Sequence, residues 1–202
     1  FQNRHYLPLE ETMPNLDRKP VFTSLKISLG IIALLWAILL LSTIMPFIKN
    51  LGIHPRVIMG LVGIITSPFI HDNMSHLIAN STSILILGTI FIATEKERAF
   101  YISIPIVLLG GLGTWLIGRS GTNHIGASGI IYGILGYLLT IGIFRRKIGS
   151  LLIALVIFIL YGGALWGVLP VISGYRVSWE GHLCGFLVGI LAAWSESHRR
   201  GK

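Results

Sequence analysis

Residues 148 to 175 read IGSLLIALVIFILYGGALWGVLPVISGY, a run without a single Asp, Glu, Lys or Arg. A helix rises about 1.5 Å per residue and the hydrocarbon core of a bilayer is about 30 Å thick, so a run of this length crosses it with residues to spare. Four other charge-free stretches, 27–48, 73–94, 99–118 and 120–144, are also long enough. A sixth, 181–195, is shorter, and reaches the required length if Trp179 and Glu180 sit in the headgroups at one end and Trp194 with the Ser195 to Arg200 tail at the other. One further apolar run, 57–70, is interrupted by Gly60, Gly63 and Pro68, and at that length reads as a re-entrant or interfacial segment. The expected fold is therefore all-α: a polytopic membrane bundle of six helices, with an embedded loop between the first two.

Composition supports this from the whole chain. Of 202 residues, 53% are hydrophobic and only 12% charged, against about 25% charged in a soluble domain. Disorder is excluded, and a cytosolic globular domain cannot be coated with so little charge. The 24 glycines follow no collagen period and fit closely packed membrane helices. The single cysteine, Cys184, rules out an intrachain disulfide and any multi-cysteine metal site, and off the face of His182 it reads as a packing thiol.

The net charge of +8 resides between the apolar runs. With six spans, the N-terminal segment, the 95–98 and 145–147 turns and the C-terminal tail share one side and hold 12 of the Lys and Arg residues; the opposite loops hold 4 (Lys49, Arg56, Arg119 and Arg176). This bias predicts both termini in the cytoplasm, with Arg145, Arg146 and Lys147 as anchors. A nucleic-acid partner is not expected, because these cations form no basic folded surface. Residues 1–24 read as a juxtamembrane arm, 25–197 as the six-helix domain and 198–202 as a basic tail. The first apolar stretch, too long for a signal peptide and without a cleavage site after it, reads as a retained helix; the chain starts at Phe1 and not Met, which leaves room for upstream residues.

The chemistry is expected from polar groups that membrane helices otherwise avoid. His76 and Asn80 are four residues apart, on one face near the start of span two. Ser128 opens span four in GASG, with Tyr132 one turn later on its face, and His182 opens span six in GHLCG. Spans two, four and six run in the same direction, so these residues share a depth near the outer surface. A hydroxyl becomes a nucleophile when a base can take its proton, which makes His182 the candidate base for Ser128. Unpaired N–H groups at the helix start around Ser128, with the Asn80 amide and the His76 ring, are candidate oxyanion donors. No Asp or Glu is placed to orient His182, so the expected machine is a Ser-His dyad without metal or cofactor. Gly129 and Gly133 on span four and Gly181, Gly185 and Gly189 on span six form stripes that permit close packing, with His182 within about 60° of the latter stripe. His124, four residues before Ser128, is a competing but poorly placed base.

The set HDNMSHLIAN (71–80), GASGIIYG (126–133) and GHLCGFLVG (181–189), in that order, resembles the rhomboid intramembrane serine proteases, over about residues 27–197. The resemblance implies Ser128 as nucleophile, His182 as general base, His76 and Asn80 on the oxyanion side and Tyr132 as the ring packed beside the base. It also aligns His71 with a further family histidine, Glu95 with an acidic residue at the end of span two, and 57–70 with the family's membrane-embedded loop. The chain departs from the family in lacking the Trp-Arg pair many members carry in that loop, and in having Ala99 where a glycine is common. The activity implied is hydrolysis of peptide bonds in or next to transmembrane helices of membrane-protein substrates, in a plasma membrane, as in the inner membrane of a bacterium, with the site toward the outer face. The alternatives are an inactive rhomboid-like client-binding protein or a proton-coupled transporter using the histidines. No HExxH helix or pair of membrane aspartates suggests another protease class.

Overall fold

The computed structural model describes residues 19–170 and 177–199. The N-terminal arm before residue 19, the end of the 148–175 stretch with Arg176, and the tail from residue 200 lie outside the described residues. Six long helices account for the described chain: α1 (Lys19–Ile44), α2 (Met74–Glu95), α3 (Arg98–Ile117), α4 (Ser128–Arg145), α5 (Ile148–Tyr161, continued by a 3₁₀ stretch to Val168) and α6 (Trp179–Arg199). Among the described residues, α1 to α5 meet both the length and the apolarity of a bilayer span. The sixth helix is long enough, but it carries Glu180, His182, Glu196, His198 and Arg199. The bundle is thus a polytopic, all-α membrane fold, with one isolated β-bridge, Ile53 to His124, among the described residues.

α4 is the axis of the bundle. Ile131, Leu135, Tyr137, Leu138 and Ile141 are buried along it, and Phe91 of α2, Ile102 and Ile106 of α3, Ile157 of α5 and Ala193 of α6 join the same core. α6 lies against α4 and α3 because glycine removes the side chains between them. A Cβ on Gly185 would come 2.0 Å from the Gly129 carbonyl oxygen, and one on Gly189 would come 1.9 Å from that of Gly133. Without Cβ atoms the backbones approach directly, the small-residue mode of membrane helices. α1 packs on α2, where Thr89 donates to Ser28 at 3.0 Å and the Trp36 indole to Ser81 at 3.3 Å. α2 contains a π turn at Ile84–Gly88, between these two contacts.

Several expectations are corrected. α4 begins at Ser128, as expected, and the charge-free residues before it are not helical: residues 118–127 form a loop in which Gly121 (φ +75) and Gly126 (φ +115) take backbone conformations that interrupt a helix. α1 is already helical at Lys19, where an arm was expected to residue 24; Pro20 in its first turn costs no intrahelical hydrogen bond. Glu180, expected to end its span facing the headgroups, is instead fully buried within the protein. Arg145 is not a free anchor: its guanidinium forms two bonds to the Glu95 carboxylate, at 2.7 and 2.9 Å, and one to the Tyr137 hydroxyl at 3.0 Å.

The 45–73 connection contains short helical turns at Pro46–Asn50, Ile58–Leu61, Gly63–Thr66 and Ser67–Phe69. Ile58 is 80% and Met59 77% exposed, a surface that suits lipid and not water. Close backbone contacts hold the loop down: a Cβ on Gly63 would meet the Gly52 carbonyl at 2.2 Å, and one on Gly60 the His54 carbonyl at 2.3 Å. Arg56 donates to the Leu116 carbonyl at 2.7 Å, and the Trp115 indole returns a bond to Val57 O at 2.8 Å, fastening the loop to the end of α3.

Candidate active site

A cavity of about 990 Å³ opens among the starts of α2, α4 and α6, lined by His76, Asn80, Ser128, Tyr132 and His182 among others. These are the residues that shared chain direction was expected to bring to one level. Ser128 is the first residue of α4, where the backbone N–H groups have no acceptor within the helix and the dipole is positive. Its hydroxyl lies 2.9 Å from His182 Nε2.

The other ring nitrogen of His182 decides what that contact means. Nδ1 lies 3.0 Å from the Gly167 carbonyl oxygen, which can only accept. Nδ1 therefore carries the proton, and Nε2 presents a lone pair to the Ser128 hydroxyl. A main-chain carbonyl fills the orienting place that a carboxylate holds in a three-residue system. Tyr132 holds the ring from the side: the two rings stack at 4.1 Å with 7° between their planes, and the Tyr132 hydroxyl donates to the Ala164 carbonyl at 2.7 Å. The 3₁₀ stretch Gly162–Val168 thus supplies both acceptors. It must come close, since a Cβ on Gly167 would collide with the Tyr132 hydroxyl.

Opposite, Gly126 forms the floor under the α2 residues. A Cβ there would meet His76 Cε1 at 2.6 Å and lie 3.4 Å from Asn80 Nδ2, and its N–H donates to Ser67 O at 2.9 Å. The His76 backbone N–H is capped by Asn73 Oδ1 at 2.9 Å, which starts α2 in register. Asn80 is buried, and its Nδ2 donates to His71 Nε2 at 2.9 Å. One amide hydrogen is spent on His71, which leaves the second. His71 is itself buried, edge-on to His76 at 5.1 Å, and burial lowers its pKa from 6.5 to about 4, with the neighbouring His76 adding to the shift. It is therefore neutral at physiological pH.

His124 does not touch Ser128. It bonds Thr122 Oγ1 at 2.8 Å through Nε2 and Ser178 Oγ through Nδ1, and burial lowers its pKa. Cys184 is buried, and a Cβ on Gly113 would lie 2.9 Å from its sulfur. Among the described residues no group of three or more His, Cys, Asp or Glu is placed to hold a metal ion.

A family model described as Rhomboid domain matches residues 59–199, from the embedded loop to the end of α6. The chain belongs to the rhomboid family. Rhomboids are in general intramembrane serine proteases, and the matched region of this rhomboid contains every residue of the cavity named above except Lys49 and Asn50 at its rim. It is 44% identical over 149 residues to uncharacterized proteins of Mycobacterium tuberculosis and Mycobacterium bovis, an alignment covering 71% of this chain and 62% of theirs. An uncharacterized protein of Mycobacterium leprae is 41% identical over 140 residues, covering 66% of this chain and 55% of the relative. This rhomboid thus spans about six-tenths of the length of the first of these relatives.

Three features of the site escape sequence reasoning. The Gly167 carbonyl has no side-chain signature. The His71 bond to Asn80 is hidden in a loop with no periodicity, although His71 itself is flagged by the family pattern. The pair of half-buried Arg119 with buried Glu180 joins residues far apart in sequence; its one available signal is that each is an isolated charge beside a long apolar run.

Proposed function

We propose that this rhomboid is an active intramembrane serine endopeptidase that cleaves membrane-protein substrates in or next to a transmembrane helix. The hydrogen bond from Ser128 to a His182 ring whose other nitrogen is committed to Gly167 carries this reading. A transport or client-binding role requires neither that tautomer nor a serine at a helix start.

In the proposed reaction Ser128 Oγ attacks the scissile carbonyl carbon as its proton passes to His182 Nε2. The negative charge that develops on the carbonyl oxygen is met by backbone N–H groups at the start of α4, the remaining Asn80 amide hydrogen and the His76 ring. The imidazolium then gives its proton to the leaving amine, and an acyl-enzyme on Ser128 remains. Water enters through the polar mouth and attacks the acyl carbon as its proton passes to His182, which then returns that proton to Ser128 Oγ as the ester bond breaks and the new carboxyl terminus leaves. Because a helix occupies its own carbonyls, substrates with helix-weakening residues near the cut are favoured, and the family resemblance implies small residues at the cleavage position. The charge bias of the loops supports cytoplasmic termini and a site toward the outer face of a plasma membrane.

The test is proteolysis in liposomes of a single-pass substrate carrying Gly and Pro near its outer end, with products mapped by mass spectrometry. Cleavage by wild type that is abolished in Ser128→Ala and His182→Ala is expected. Cleavage that persists in folded Ser128→Ala refutes the assignment.

A further inference from the structure

The loop of residues 118–127 ends in Ser128, and the same loop grips the start of α6 just ahead of His182. Arg119 makes the grip. Its Nε donates to Glu180 Oε1 at 2.7 Å, its Nη2 to Glu180 Oε2 at 3.4 Å and to the Val177 carbonyl at 2.8 Å, and its backbone N–H reaches Glu180 Oε1 at 3.2 Å. Glu180 has no exposed surface, and a carboxylate so buried is retained only where its partners are fixed. The same loop adds a second hold: His124 bonds the hydroxyl of Ser178, whose carbonyl in turn accepts the His182 N–H at 3.1 Å. Val177, Ser178 and Glu180 are each tied to the segment that delivers the serine.

The glycine stripes leave this task undone. Gly129, Gly133, Gly185 and Gly189 set how closely α4 and α6 approach, and Phe186 packs over Gly136, but these apolar contacts carry no directional bond to stop α6 turning or sliding. One residue of slip rotates a helix by about 100° and shifts it about 1.5 Å, which carries His182 away from Ser128. A forked guanidinium on a carboxylate fixes direction as well as distance. Ion pairs also confer little net stability when apolar residues can fill the same volume. Placement two residues before His182 therefore points to geometry as its use.

We propose that Arg119 and Glu180 are positioning residues: the ion pair between the half-buried guanidinium and the buried carboxylate sets the register of α6 against α4 so that His182 Nε2 meets Ser128 Oγ. This rests on reading Ser128 and His182 as nucleophile and base.

The test is inactivation of the full chain in lipid nanodiscs by a fluorophosphonate, with kinact and KI measured separately, the Ser128 adduct identified by peptide mass spectrometry, and thermal unfolding followed in parallel. The variants are Glu180→Gln, Arg119→Lys, and the double substitution Arg119→Met with Glu180→Met, which removes the buried carboxylate together with its half-buried partner and so leaves neither charge uncompensated. A displacement near 1 Å is enough to cost up to about a hundredfold, so kinact is expected to fall at least about tenfold in all three while KI stays within about twofold. The double variant is expected to unfold at or above the wild-type temperature and still to be slow, a split that a purely structural role does not produce. If a single variant does not fold, the double variant decides. A double variant that folds and reacts at the wild-type kinact overturns the positioning role and leaves the Ser128 assignment standing; a folded wild type with no adduct at Ser128 overturns both.

Discussion

Gly185→Ala tests the packing of α6 on α4 by adding one methyl group. That methyl would sit 2.0 Å from the Gly129 carbonyl oxygen and 2.9 Å from its carbon, both main-chain atoms that cannot swing aside. Ordinary contact begins near 3.4 Å, so the shortfall is 3.4 − 2.0, or 1.4 Å, and the helices must part or α6 must roll by that order. Ser128 is the neighbour of Gly129, and His182 lies one turn before Gly185. Carried into the 2.9 Å contact between their side chains, the shift gives 2.9 + 1.4, or 4.3 Å, beyond the about 3.2 Å reach of a hydrogen bond. Overpacking of this kind costs about 1–3 kcal/mol of stability, and loss of the Ser-His contact is expected to slow modification of Ser128 by roughly a hundredfold. Thermal unfolding and fluorophosphonate inactivation, read on the same samples, measure the two effects. Gly149→Ala, on α5 with nothing within 4 Å, is the control and is expected to be neutral or stabilising by up to about 1 kcal/mol. A Gly185→Ala protein that unfolds and reacts like wild type refutes the proposition that glycine contact sets the distance between the helices.

Replacing Tyr132 by Phe keeps the 4.1 Å stack on His182 and removes only the bond to Ala164, so a stability loss of about 1 kcal/mol with inactivation close to wild type is expected, whereas Tyr132→Ala frees the ring and slows inactivation strongly. Breaking the Glu95–Arg145 pair, with side chains 1% and 8% exposed, by Glu95→Gln is expected to cost about 3–5 kcal/mol in detergent unfolding while the folded fraction reacts normally, because the pair lies at the far end of α2 from the site. The pKa of His71, lowered from 6.5 to about 4, predicts acid sensitivity. On acidification the unfolded chain takes up this proton near pH 6.5 and the folded chain only near pH 4, so stability is lost as pH falls through that window, by roughly 3 kcal/mol in all. His71→Phe is expected to flatten this part of the pH–stability curve, and a slope that survives the substitution assigns it to another group.

What the sequence reveals follows from what is local. Charge-free runs locate the helices because the bilayer imposes one length on each, and shared chain direction is enough to bring His76, Asn80, Ser128 and His182 to one cavity. The stripe of Gly181, Gly185 and Gly189 is periodic and announces a helix contact; that its partner is the Gly129–Gly133 backbone follows from the pairing of two glycine-rich faces. Non-local partnerships leave no such trace. Arg145 at a helix end looks like a membrane anchor until Glu95, fifty residues earlier, is seen to face it. Glu180 looks like a headgroup residue until the α3–α4 loop folds Arg119 over it. Absence of charge alone does not mark the start of α4, because residues 120–127 are as free of charge as a helix would be, while their conformation is set by two glycines at positive φ and by bonds to the embedded loop. The acceptor for His182 is a main-chain oxygen, which every residue has.

Whether Ser128 is an activated nucleophile served by His182 is tested most directly by exposing the purified chain to a fluorophosphonate and mapping the modified residue. One adduct, on Ser128, absent in Ser128→Ala and in His182→Ala, is the expected result. No adduct on folded wild type across a pH series, or an adduct on Ser178 beside His124, would contradict it.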